Sequence, residues 1–214
     1  EYWQTRLVCN GTTGSHVTVT SDPGGGNGRF TDVNNYLGWQ VYARYTDFSR
    51  LGGATTTSAI VWSGELDLAN VTVDTSGRFG AEVYTPGATG ILSVVDTVFT
   101  NSLGTCNIFY GSPATSKTTG TRLITRSVFD RGLTENNLVA GLKDFTVTYN
   151  IFAVPTAAYF EVAREPALWQ WNVYVLTNHH DSSFYVSMAD TFMVSADGDA
   201  NPHFFQASAS STYS

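Results

Sequence analysis

Asp197, Asp199 and Asn201 alternate in the stretch SADGDANPH, residues 195–203, a spacing that lets one tight loop aim three side-chain oxygens at a cation. The chemistry this suggests is calcium binding, which needs about six to eight oxygen ligands. The full EF-hand pattern fails, because Pro202 stands where that loop needs glycine and Ser208 where it needs glutamate. The rival reading is a polar turn, with Asp197-Gly198 bending the chain and Asn201-Pro202 ending the bend. Asp197, Asp199 and Asn201 are the candidate calcium ligands; no other cofactor is expected.

Other clusters carry weaker chemistry. His179, His180 and Asp181 are adjacent, but zinc sites space histidines so that two rings reach one ion, and neighbours on a strand point apart. They read as a loop tip, able to respond to pH if it lies at a subunit interface. Glu65 and Asp67 share a strand face in GELDL and could act as the paired acids of a glycosidase. Exposed strands carry such pairs without any chemistry. Glu161, Arg164 and Glu165 read as surface charge pairing. The run VDTSG, residues 73–77, is similar to an aspartic-protease turn, except that Ser76 interrupts it and no second copy is present. No GxSxG and no reactive-cysteine motif occurs, so a non-catalytic protein is expected. Trp169 and Trp171 could stack on sugars, but they continue into Val173 and Val175, so a buried face is the expectation. Tyr36, Tyr110 and Tyr185 are the loop aromatics most suited to ligand contact.

The elements that must hold these residues read as strands. DFTVTYNIFAV alternates Phe145, Val147, Tyr149, Ile151 and Ala153 against Asp144, Thr146, Thr148 and Asn150, as a long half-buried strand would. AIVWSGELDL places Ile60, Trp62, Leu66 and Leu68 inward. Gly, Asn, Pro and Ser clusters separate such runs at roughly 8–12 residues, which predicts an all-β, antiparallel sandwich or jelly-roll-like barrel with long loops. Residues 1–205 are read as one domain and 206–214 as a low-complexity tail. Residues 21–36 are read as a Gly/Asn-rich loop, and residues 134–144 as the one place for a short helical turn. No internal repeat is evident in the sequence.

Composition narrows the class. Charged residues make up 14% of 214, with only Lys117 and Lys143 as lysines, so the solvated face must be built from Thr, Ser, Asn and Gln. The formal net charge of −7, with 11 scattered basic residues, argues against nucleic-acid binding, which needs clustered cations. No apolar run nears the roughly 18 residues of a membrane span, so no membrane insertion is expected. The start at Glu1, without Met or signal pattern, reads as a fragment or processed product. Cys9 and Cys106 permit at most one disulfide, and reduced or buried thiols are expected. Asn10-Gly-Thr and Asn70-Val-Thr match the glycosylation pattern.

A Thr-rich, lysine-poor β chain with stretches such as DFTVTYNIFAVPTAAYFEVA and a Ser/Ala tail resembles the protruding domain of small icosahedral RNA-virus capsid proteins of nodavirus and tetravirus type, including Lake Sinai virus. The resemblance implies a spike on the virion surface, homodimeric or homotrimeric association with other capsid subunits, and attachment to a host receptor or glycan. Some such domains in related fish viruses bind calcium through Asp-x-Asp runs, which Asp197 and Asp199 match. The alternative is a secreted carbohydrate-binding β-sandwich, and after it an acid glycosidase using Glu65 and Asp67.

Overall fold

Left-handed backbone at nine non-glycine residues sets the architecture among the described residues. The computed structural model describes residues 6–22, 28, 30–31, 40–52, 58–63, 65–82, 91–104, 107–111, 121–131, 133–135, 145–154, 168–176, 184–185, 192–195 and 212–213. Tyr45, Asn70, Asp96, Arg126, Tyr149 and Trp171 fall at one corner, and Arg50, Thr75 and Asn101 at a second. A single αL residue between extended stretches turns the chain sharply. Recurring once per circuit, it winds the chain into stacked coils.

The first coil holds β1 (Arg6–Asn10), β2 (Val17–Thr20) and β3 (Phe30–Thr31). On it lie β4 (Gln40–Ser49), which bends at Tyr45 and pairs with both β1 and β2, and β5 (Ser58–Ser63), which pairs with β3. β6 (Glu65–Asp74) and β7 (Arg78–Glu82) repeat that arrangement. The next coil is β8 (Leu92–Val95), β9 (Val98–Thr100) and β10 (Ile108–Gly111). It is followed by β11 (Arg122–Thr125), β12 (Val128–Phe129) and β13 (Leu133–Glu135). Then come β14 (Thr146–Thr148) with β15 (Ile151–Val154), and β16 (Leu168–Gln170) with β17 (Val173–Leu176). β18 (Phe184–Tyr185) pairs antiparallel with β20 (Thr212–Tyr213), and β19 (Phe192–Ser195) pairs with β17.

Among the described residues every strand pair except β18–β20 is parallel. Ala43, Leu68, Val94, Ile124, Val147 and Trp169 are successive partners, so the chain returns to the same place every 22 to 30 residues. The result is a 13-stranded curled parallel sheet facing a 5-stranded parallel sheet. The expected antiparallel sandwich or jelly-roll barrel is overturned, while the all-strand reading holds for the described residues. Side-chain alternation has period two whichever way the neighbouring strand runs, and solenoid corners attract the same Gly, Asn and Ser as hairpins. The repeat is one of backbone, and its rows accept any side chain of suitable polarity, so no recurring motif marks it.

Two kinds of interior row hold the coils together. Leu66, Leu68, Leu92, Val94, Ile124 and Val147 are buried beneath the first part of the large sheet. Phe48, Phe79, Phe99, Phe129 and Phe152 fill the space under the second. Phe99, Phe129 and Phe152 stack with 5.1 Å between successive ring centroids, and Phe48–Phe79 and Phe79–Phe99 meet edge to face. Each such ring contributes about 1.5–3 kcal/mol by burial, before the stacking preference.

The other row is polar and sits just after the first corner. Thr97, Ser127, Asn150 and Asn172 are all buried. Ser127 Oγ accepts from the Thr97 amide at 3.1 Å, Asn150 Oδ1 from the Ser127 amide at 3.0 Å, and Asn172 Oδ1 from the Asn150 amide at 3.0 Å. Asn150 Nδ2 donates to the Ile124 carbonyl and Asn172 Nδ2 to the Val147 carbonyl, both at 3.0 Å. The corner breaks the strand ladder, and these side chains satisfy backbone groups that burial would otherwise leave unpaired.

Residues 21–36, read as a loop, contain β3 and a bridge from Gly28 to Leu51. Leu133–Glu135, at the start of the expected helical turn, is strand. In the tail, Thr212–Tyr213 pairs with β18. No helix among the described residues is long and apolar enough to cross a membrane.

Candidate functional site

The corner that turns the chain also sorts its side chains. An αL residue interrupts the alternation, so the residue at the corner points outward and the next one points into the core. Thus Asn70 is exposed and Val71 buried, Arg126 exposed and Ser127 buried, Tyr149 exposed and Asn150 buried, Trp171 exposed and Asn172 buried. Tyr45, Asn70, Asp96, Arg126, Tyr149 and Trp171 therefore form an external column, one residue per coil, along the stacking axis.

Asn and Asp tolerate αL readily, whereas bulky residues there are outliers. Tyr149 and Trp171 both hold φ of 59° with side chains 57% and 43% exposed. Burial of these rings cannot compensate the backbone cost, of order 1 kcal/mol or more each. Part of the compensation comes from Asn150 and Asn172 immediately behind them, and part from the rings themselves, which stack with centroids 4.9 Å apart at 15°. Outliers of this kind concentrate where a side chain is used for something other than packing.

Beside them, Arg126 Nε and Nη2 donate to the two Asp96 carboxylate oxygens at 2.7 and 2.8 Å. The Arg126 hydrogen bond and charge hold the Asp96 carboxyl below the ordinary carboxylate range, against a weaker opposing effect of burial, and Asp96 in turn raises the Arg126 guanidinium. The pair presents two planar polar groups in a fixed position. Next to the column, the outward row Asp47, Thr72, Val98, Val128, Ile151 and Val173 crosses the sheet. It turns from polar to apolar along the axis, with Val98 and Ile151 each 42% exposed.

The expected sites fare differently. Asp197, Asp199 and Asn201, His179, His180 and Asp181, Glu161, Arg164 and Glu165, Tyr36 and Cys106 lie outside the described residues, as do the side chains of Glu65, Trp169, Tyr110 and Tyr185. Asp67 is engaged by Arg44 in an ion pair rather than held as an isolated acid. VDTSG is the second corner: Ser76 is buried, its hydroxyl donates to the Asp74 carbonyl and accepts from the Leu51 amide, and Asp74 accepts from Thr75 and Asn101. Cys9 is a free buried thiol, pushed above its ordinary pKa by burial. Among the described residues no group of three or more His, Cys, Asp or Glu is gathered for a metal.

Trp171 is the main reversal, since its place beside Val173 in the alternation pointed to the core. The same alternation places Tyr149 with Phe145 and Val147, whereas its side chain is exposed. The signal that could have placed both is the following residue: a polar Asn inside an apolar run, twice, at Tyr149-Asn150 and Trp171-Asn172. Comparison with protein-family models, with curated proteins and with solved structures returns no match.

Proposed function

We propose that this chain is a non-catalytic attachment domain, displayed on a virion or other extracellular surface, that recognises its receptor through the external column ending in Tyr149 and Trp171. The observation that carries this reading is the exposed, mutually stacked Tyr149–Trp171 pair held at strained corners of a rigid scaffold. Large aromatics with a polar edge supply much contact area at small entropic cost, and they dominate recognition surfaces. The virion setting rests on the hydroxyl-rich, lysine-poor composition. The antiparallel fold that the capsid resemblance implied is not the one found, so attachment is argued from the surface alone.

Beads coated with the protein, offered to a panel of cultured animal cells, test the proposal. Retention by the wild type, lost in the Tyr149→Ala/Trp171→Ala double variant at unchanged melting temperature, supports it. Equal retention by both, or none by either, overturns it. A second reading, association of copies into dimers or trimers, is favoured by the aliphatic row through Val98 and Ile151. A monomeric mass by light scattering that Ile151→Asp leaves unchanged would remove it.

A further inference from the structure

We infer that the column from Asn70 to Trp171 binds a neutral, linear glycan lying along the stacking axis; this deepens the attachment reading and rests on it. The column is periodic. Coils rise by about 4.8 Å, so the five column residues from Asn70 to Trp171 extend over roughly 19 Å. One coil rise is close to the length of one pyranose unit in an extended chain, so over these five coils neighbouring column residues can meet successive sugars.

The column residues carry chemistry that suits a sugar. Asn70, Asp96 and Arg126 present planar amide, carboxylate and guanidinium groups, which suit paired sugar hydroxyls. Tyr149 and Trp171 follow; each gives one face to the other, and their remaining exposed apolar surface suits the C–H groups of a pyranose while their O–H and N–H suit its hydroxyls. Ile151 extends the apolar strip beside them.

Charge selects among glycans. Asp96 and Arg126 neutralise each other, and the chain as a whole carries −7, so a sulfated or uronic-acid polymer meets repulsion. The site is also preorganised, because the ion pair and the ring stack fix the side chains before any ligand arrives, which lowers the entropic cost of binding.

The test is titration calorimetry of the whole chain with cellohexaose, chitohexaose and mannohexaose, with heparin hexasaccharide as the charged control. At least one neutral hexasaccharide should bind, its trisaccharide should bind at least about tenfold more weakly, and Trp171→Ala should weaken binding by a similar factor. Trp171→Phe should retain most of the affinity, which separates ring contact from folding. The proposal is overturned if no neutral hexasaccharide binds at millimolar concentration, if heparin binds more tightly, or if Trp171→Ala binds as the wild type does. Should cell retention persist and depend on Tyr149 and Trp171 while every hexasaccharide fails, attachment stands and the glycan falls. Self-association that Trp171→Ala abolishes, with no sugar bound, would assign the column to contact between copies.

Discussion

Replacing Asn150 by alanine removes the central link of the buried polar row. In the wild type, Asn150 Oδ1 accepts from the Ser127 amide, and Nδ2 donates to the Ile124 carbonyl and to Asn172 Oδ1, all at 3.0 Å. Alanine leaves the Ser127 amide and the Ile124 carbonyl without these partners in a site where Asn150 is 1% exposed. The Asn172 carbonyl oxygen is spared, because the Asn150 backbone amide still donates to it. An orphaned buried group costs about 1–3 kcal/mol; the amide lies at the upper end because it has a single bond to make and the carbonyl at the lower, which gives about 4 kcal/mol in all. Coils contact only their neighbours, so the damage should be local to the coils on either side. Urea unfolding reads the total, and hydrogen exchange of the Ser127 amide reads the mechanism: protected in the wild type, fast in the variant. Asn150→Asp should be worse, since a second oxygen then faces the Ile124 carbonyl and a charge is buried. A loss below about 1 kcal/mol with the Ser127 amide still protected would refute the claim that side chains complete the ladder at this corner.

Phe129→Ala opens the middle of the Phe99–Phe129–Phe152 stack and should cost about 3–5 kcal/mol in urea unfolding, whereas Phe129→Leu should cost distinctly less. A Cβ at Gly11 would run into the Tyr45 carbonyl and also lie 2.9 Å from the Ser15 carbonyl, so Gly11→Ala should destabilise the first coil by about 1–3 kcal/mol, seen as faster exchange in residues 6–20. The Asp96 carboxyl is held low in the folded chain, so its contribution to stability is complete above the unfolded carboxylate value of about 4 and is lost as pH falls through the folded value. Melting temperature followed from pH 6 down to pH 2 should therefore show a decline that is shallower in Asp96→Asn. Burial raises the Cys9 thiol, so in a Cys106→Ser background iodoacetamide at neutral pH should label Cys9 only after urea opens the coil.

The sequence was informative about strands and misleading about what they pair with, for a reason visible in DFTVTYNIFAV. Phe145 and Val147 are fully buried as their alternation predicts. The αL turn at Tyr149 then shifts the phase by one residue, which sends Tyr149 and Ile151 out and brings Asn150 and Phe152 in. An uninterrupted strand assigns all four to the wrong face, and nothing in a period-two count registers the slip. The same slip at Trp171 hid the residue on which the attachment reading now rests. In AIVWSGELDL the inward placement of Leu66 and Leu68 is right, although the stretch spans two strands of different sheets, β5 and β6.

Direction of pairing has no local signature either. Parallel and antiparallel neighbours ask for the same alternation, and what separates them is the long return path of a parallel connection. Here that path is a corner, a strand on the opposite sheet and a further loop, and each segment taken alone resembles a hairpin boundary. The information lies instead in the corner itself, where an αL residue is followed by a buried one, which is Thr, Ser or Asn at five of the six described corners of this row. Ser127, Asn150 and Asn172 differ in type and recur at unequal spacing because their shared task, accepting one amide from the preceding coil, can be met by any short side chain with an oxygen. A row defined by a hydrogen-bonding role has no consensus residue. For that reason a search for recurring letters misses this solenoid, while a search for buried oxygens beside outward-facing aromatics would find both its corner and its candidate site.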